Sequence, residues 1–213
     1  IIGATGTGKS TLINLIPRFY DATEGEVLID GINIKDYPEK QLENMVSLAP
    51  QKAVLFMGDI KSNVTYGCNK EISDTDEGLE KALRTAKADF VFGLPEGIHS
   101  HVAQGGSNFS GGQKQRISIA RAVFKNADII IFDDTFSALD YKTDMLVRQE
   151  LKRNLRDTTV IIVAQRIGTI KNADKILVLD NGEIAGLGTH EQLLENNEIY
   201  KEIYQSQQKG REE

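Results

Sequence analysis

Tryptophan is absent from this 213-residue chain, cysteine occurs once and proline four times. The lone Cys68 has nothing to pair with, which excludes a disulfide-stapled secreted scaffold and suits a reducing compartment. No apolar stretch approaches the ~20 residues of a membrane-crossing helix; the longest are residues 129–132 and 160–164. Basic residues are in deficit, 25 Lys and Arg against 31 Asp and Glu for a net charge of −6. Duplex binding normally rests on a concentrated positive face, so nucleic acid is not expected as a partner. The opening Ile1-Ile2-Gly3 has no initiator Met, basic region or small-residue cleavage site, so no signal peptide is read there. A chain that opens in mid-strand is expected to be a piece of something longer, with the N-terminal β part of its domain missing.

The rest of the composition, 40% hydrophobic and 26% charged, is that of a globular chain long enough to bury a real core. Short β-rich runs alternate with amphipathic helical stretches, which predicts a mainly parallel sheet flanked by helices. Candidate strands are 27–29, 45–49, 129–132, 160–163 and 175–179, several of them continuous apolar runs expected to be covered on both faces. Asp30-Gly31 and Asn181-Gly182 read as hairpin turns. Between about 56 and 104 the pattern changes to helix and loop: 58–65, then 76–87 behind a cap at Ser73, then a turn at Leu94-Pro95-Glu96-Gly97. Only 205–213 reads as a polar, fraying tail.

Gly3-Ala4-Thr5-Gly6-Thr7-Gly8-Lys9-Ser10-Thr11 fits the pattern G-x-x-x-x-G-K-S/T, preceded by the end of an apolar strand and followed by a helical run, 10–16, that Pro17 limits. Its glycines let backbone N–H groups turn inward around phosphate oxygens, and a helix N-terminus adds positive potential. In that arrangement Lys9 reaches the β- and γ-phosphates of a nucleoside triphosphate and the Ser10 hydroxyl ligates Mg²⁺. A second candidate anion site is Ser110-Gly111-Gly112-Gln113, ahead of a helical run at 117–124. Taken alone, that tetrapeptide fits a merely flexible helix start equally well. Residues 129–132 then deliver Asp133 to the C-terminal edge of a buried strand, where ligands sit in open α/β sheets.

With these motifs in this order the sequence resembles the nucleotide-binding domain of ATP-binding cassette (ABC) transporters, over residues 3–194. The resemblance implies a P-loop NTPase (RecA-like) α/β fold with an inserted α-helical subdomain, divided here into 1–55, 56–125 and 126–213. It implies ATP and Mg²⁺ as cofactors and ATP hydrolysis coupled to transport. It implies a head-to-tail pair in which each signature, Leu-Ser-Gly-Gly-Gln in the family and Phe109-Ser110-Gly111-Gly112-Gln113 here, closes over ATP held by the other chain's phosphate loop. Gln51 resembles the Q-loop glutamine near Mg²⁺ and water, residues 54–60 resemble the export-type form of that region, Asp133 resembles the Walker B aspartate, and residues 137–140 resemble the D-loop, ending in Asp140. A transmembrane domain on the same polypeptide and a place at the cytoplasmic face of the cell membrane are implied as well. The adenine-stacking aromatic would lie upstream of Gly3.

Besides Phe109, a mild departure at an apolar position, three places depart from the family pattern. Asp134 stands where a glutamate orients or deprotonates the attacking water, and is shorter by one methylene, roughly 1.5 Å. Gln165 stands where a switch histidine is expected; it can donate a hydrogen bond but carries no proton or charge. Val102-Ala103-Gln104-Gly105 replaces a Val-Gly-Glu segment that contacts transmembrane helices. His99, His101 and His190 read as solvated and substitute for none of these. The combination resembles the degenerate-site subunit of a heterodimeric exporter, whose non-identical partner carries Glu and His. A fully active homodimeric exporter is the alternative reading, and a soluble cassette ATPase of the chromosome or ribosome type a more remote one.

Overall fold

The computed structural model describes residues 1–68 and 76–209; the Ser73 cap lies outside them. Helix α1 (Lys9–Asn14) follows the glycine loop. A small hairpin, β1 (Leu28–Ile29) with β2 (Ile32–Asn33), turns at Asp30-Gly31, both in the left-handed region as such a tight turn requires. Helix α2 (Glu39–Met45) runs straight into β3 (Val46–Ala49), so Met45 ends a helix rather than starting the strand.

The segment that reads as helix and loop contains a strand pair. Gly58 does not begin a helix: β4 (Gly58–Asp59) comes first, and Asp59 caps α3 (Ile60–Val64) by accepting from Ser62 N–H at 2.7 Å. Helix α4 (Asp76–Thr85) follows, then β5 (His101–Val102), which pairs antiparallel with β4. Helix α5 (Gly111–Phe124) begins six residues earlier than its apolar run suggests, because Ser110 and Gln113 form a reciprocal capping box. The remainder is β6 (Ile129–Asp133), α6 (Tyr141–Asn154), β7 (Thr159–Val163), α7 (Ile167–Ile170), β8 (Ile176–Asp180), β9 (Glu183–Gly188), α8 (His190–Asn196) and α9 (Glu198–Lys209). The polar 205–209 is thus the end of a helix rather than a frayed tail.

Strands β3, β6 and β7 form a parallel ladder, with Ala49 opposite Phe132 and Asp133 opposite Val163. Ile1–Ile2 extends it on the β7 side. The Ile1 carbonyl accepts from Ala164 N–H at 3.0 Å, while Ile2 N–H donates to Leu177 O at 2.9 Å and Leu179 N–H donates back to Ile2 O at 2.8 Å. The order is therefore β3, β6, β7, Ile1–Ile2, β8, with β9 antiparallel at the outside. Ile130, Ile131 and Phe132 are fully buried, the pattern of a strand covered on both faces. On one side the core joins them to α3, α4 and α5 through Ile60, Leu83 and Ile119; on the other, Ile131 and Val163 meet Ile13 of α1 and Leu42 of α2. A separate cluster seats Tyr200 of α9 against Ile2, Ala164 and Ile167. Parallel pairing brings the ends of β3, β6 and β7 and the start of the phosphate loop to one edge of the sheet.

Candidate active site

The loop from Gly3 to Gly8 crosses that edge. Gly8 is the N-terminal cap of α1 and sits at φ 91°, a conformation that side-chain-bearing residues rarely adopt. Gly3 is needed for closeness instead: a Cβ there would lie 2.1 Å from the Leu179 carbonyl oxygen. Lys9 folds back over its own loop, its Nζ donating to Gly3 O at 2.8 Å and to Ala4 O at 2.6 Å. Thr7 Oγ1 donates to the same Ala4 oxygen at 2.9 Å. Burial lowers the Lys9 ammonium below the ordinary lysine range, with the charges of Asp134 and Asp133 opposing.

Thr5, Gly6, Gly8, Lys9, Ser10 and Thr11 form one wall of a cleft of about 250 Å³; Gln51, Asp133, Asp134 and Gln165 form the other. Each residue of the second wall follows from strand register: Gln51 lies two residues past β3, Asp133 ends β6, and Gln165 lies two residues past β7. Across the cleft, Ser10 Oγ donates to Asp133 Oδ1 at 3.1 Å. Among the described residues no three His, Cys, Asp or Glu side chains group to hold a metal. One hydroxyl and one carboxylate suit Mg²⁺, which takes few protein oxygens and fills its octahedron from water and substrate phosphates.

Asp134 is the most constrained residue of the cleft. It is 7% exposed and has φ 43°, a strained backbone for a residue with a side chain. Its Oδ2 accepts from Gln51 Nε2 at 3.0 Å and from Gln165 Nε2 at 2.8 Å, and its carbonyl accepts from Ser137 Oγ at 2.7 Å. Burial raises its pKa above the ordinary aspartate range; the amide donors pull it back and neighbouring Asp133 adds to the rise.

The signature and D-loop residues stay outside this cleft. Ser110 and Gly111 are exposed at the start of α5, where the Ser110 N–H donates to Gln113 Oε1 at 2.8 Å. A Cβ added at Gly112 would lie 3.8 Å from the Ala138 carbonyl oxygen, ordinary contact distance. Phe109, the departure from the family leucine, is 9% exposed with its ring 6.2 Å from that of Phe90, so the position is apolar and filled. Asp140 caps α6 by accepting from Thr143 N–H at 3.0 Å.

Beside the cleft, lining a cavity that shares Asp134 and Gln165 with it, stands a residue that sequence reasoning missed. Gln207, in the stretch read as a tail, donates from Nε2 to Gln165 O at 2.7 Å and accepts at Oε1 from Ile167 N–H at 2.9 Å. The amphipathic spacing of Tyr200, Ile203 and Tyr204 was the available signal for a helix there. His190 also differs from expectation. It is half-buried, its Nδ1 2.8 Å from the Tyr200 hydroxyl, with the Tyr204 ring edge-on at 5.6 Å. His99 and His101 are exposed as expected, His99 lying 3.4 Å from an Asp59 carboxylate oxygen.

A family model described as "ABC transporter" matches residues 1–137. An uncharacterised ABC transporter ATP-binding protein of Mycobacterium tuberculosis is 47% identical over 207 residues, 97% of this chain and 35% of the relative. A Staphylococcus aureus ATP-binding/permease protein, provisionally named for multidrug export, is 44% identical over the same coverage of each chain. The solved structure of a bacterial Atm1-family ABC exporter with ATP bound superposes with a TM-score of 0.91 at 38% identity, covering 97% of this chain and 36% of that one. The chain therefore spans about a third of the length of the curated relatives it matches.

Proposed function

The chain belongs to the ABC transporter family, and from that membership we propose that it is the ATP-driven motor of an exporter, working at the cytoplasmic face of a membrane. Its transmembrane partner would be a domain of the same polypeptide, and its second cassette a non-identical subunit. Within it, 1–55 and 126–213 act as the ATP-binding core and 56–125 as the helical subdomain that carries the signature.

Binding of ATP follows from the first wall of the cleft. Lys9 exchanges the carbonyls of Gly3 and Ala4 for phosphate oxygens, charge-assisted bonds stronger than those it gives up. The loop N–H groups from Thr5 to Thr11 surround the phosphate chain. Ser10 and Asp133 would hold Mg²⁺, which, when bound, offsets charge on the β- and γ-phosphates. Gln165 and Gln51 then turn their amide donors toward the terminal phosphate and the water beside it.

The observation that carries the finer reading is the pairing of Asp134 with two neutral amides. Abstracting a proton from water needs a well-placed base and benefits from a group that can stabilise the resulting charge. Here the carboxylate is one methylene short of a glutamate, and its switch neighbour cannot ionise. Misplacement by about 1 Å can cost a catalytic step on the order of 10²-fold. The site thus holds ATP for long periods, while Ser110 and Gly111, exposed, and the half-buried Gly112 and Gln113, all outside their own chain's cleft, together with Asp140, complete the site of the partner.

The test is to purify the full-length protein with whatever cassette accompanies it, and to identify that chain by mass spectrometry. A second cassette with Glu and His at the two positions, and slow turnover at this chain's own site, is the expected result. A homodimer in which every site turns over at the same rapid rate would overturn the degenerate-site reading.

A further inference from the structure

We propose that Gln207, at the far end of the chain from the phosphate loop, is a positioning residue that sets how Gln165 meets the terminal phosphate of the nucleotide. The inference rests on the ATP-binding reading above and adds to it a residue from a different part of the fold.

The geometry is that of a clamp. One side chain bridges the backbone on either side of Arg166, donating to Gln165 O at 2.7 Å and accepting from Ile167 N–H at 2.9 Å. The second of these bonds fills a structural need. Helix α7 starts at Ile167, and its N-cap, Arg166, provides no side-chain hydrogen bond, so a first-turn N–H would otherwise lack a partner. An amide suits the task because it carries an acceptor and a donor on one planar group. Once both backbone groups are fixed, the Gln165 side chain leaves a defined point and reaches Asp134 Oδ2 at 2.8 Å.

The clamp stands on a rigid base. Tyr200, one face of α9 and fully buried, packs with Ile2, Ala164 and Ile167 in one cluster. Its N–H donates to Asn197 Oδ1 at 2.8 Å, and Asn197 Nδ2 donates to Ala185 O at 2.7 Å on β9. The same cluster therefore supports Ile2, which leads into the phosphate loop, and Ile167, which follows the switch position. The other end of α7 is held from α6: Arg148 Nη1 donates to Thr169 O at 3.3 Å while its Nε pairs with Asp144 at 2.6 Å. With α7 fastened at both ends, the orientation left to vary is that of Gln165, and Gln207 sets it.

A residue that only steadied the C-terminal helix would act on ATP and ADP alike; a residue that aims Gln165 acts on the γ-phosphate. The experiment measures ATP and ADP affinity at this chain's site in the full-length protein, by displacement of a fluorescent ATP analogue. Gln207→Ala is expected to weaken ATP about five- to tenfold, the scale of one well-placed hydrogen bond, and to leave ADP unchanged. Gln207→Glu supplies the second arm. As a carboxylate the new side chain accepts from Ile167 N–H but cannot donate to Gln165 O, and as a neutral acid it can do both. ATP preference is therefore expected to be lost at pH 8 and regained as the pH falls through the titration of the introduced carboxyl. Equal loss of ATP and ADP affinity, or an unchanged ratio in both variants, would overturn the proposal. A wild-type protein that binds neither nucleotide would overturn the ATP-binding reading itself, and the proposal with it.

Discussion

The amide nitrogen of Gln165 lies 2.8 Å from Oδ2 of Asp134, the same oxygen that Gln51 approaches at 3.0 Å. One carboxylate oxygen thus gathers donors from the ends of β3 and β7, the two strands that flank its own. The three side chains satisfy one another, and two of the three, as amides, cannot accept a proton from water.

Exchanging the pair for the residues usual in the family should release hydrolysis. Asp134→Glu with Gln165→His is expected to raise turnover at this site by at least about tenfold and toward 10²-fold. Phosphate release from the full-length protein measures it. Unmodified protein already as fast as the double variant would show that the aspartate is no handicap.

Asp134 also makes a prediction about stability and pH. Burial holds its carboxyl above the ordinary aspartate range, so the folded protein retains a proton that the unfolded chain has already released. The contribution of the neutral acid is complete below the unfolded value and is lost as the pH rises through the raised folded one. Asp134→Asn removes the charge and keeps an oxygen that both glutamines can reach. The variant should unfold at a higher temperature than wild type at pH 7, with the gap closing toward about pH 4. Coincident melting curves at pH 7 would sink the claim.

Ser110 separates a local role from an intermolecular one. Ser110→Ala removes the hydroxyl that accepts from Gln113 N–H at 3.3 Å and should cost about 1 kcal/mol of helix stability. Ser110→Arg adds bulk and charge on an exposed surface, where its expected effect is to abolish turnover at the partner's site. Turnover at the partner's site that survives Ser110→Arg would exclude composite sites.

Asn63 tests the helical segment. It is 1% exposed, accepts from Phe56 N–H at 2.8 Å and from Arg121 Nη2 at 3.0 Å, and donates to Phe56 O and Asp59 O at 2.8 and 2.9 Å. Asn63→Ala leaves several of these groups unmatched and should destabilise by about 2–4 kcal/mol. Hydrogen exchange is expected to rise first around Phe56 and Tyr66, whose rings stand 4.5 Å apart beside Arg121. Unchanged exchange there would mean that the network is dispensable.

The parts of this protein that can be read from sequence are those whose physics is local. The apolar run at 129–132 predicts β6, Asp30-Gly31 and Asn181-Gly182 predict hairpins that form, and the glycine pattern before Lys9 predicts a loop at a helix start. The β4 and β5 pairing was illegible because two-residue strands 43 positions apart have no periodicity to detect. Gln207 was illegible for another reason. Its bonds go to the backbone of Gln165 and Ile167, so no residue type there advertises a partner. The fit of Tyr200 against His190 is likewise a tertiary matter, which is why His190 reads as solvated in sequence and is half-buried in the fold.

The Ile1–Ile2 strand has a consequence for the order in which this molecule comes into being. Its neighbours in the sheet are β7 and β8, and the Ile1–Ile162 bond joins residues 161 positions apart. At ribosomal speeds of about 5–20 residues per second, the phosphate loop waits roughly ten to thirty seconds for the strands that fix it. Helices α3 to α5 have nearby partners and can settle in that interval. A nascent chain consequently has the neighbours of its helical segment to hand before the strands that fix its phosphate loop.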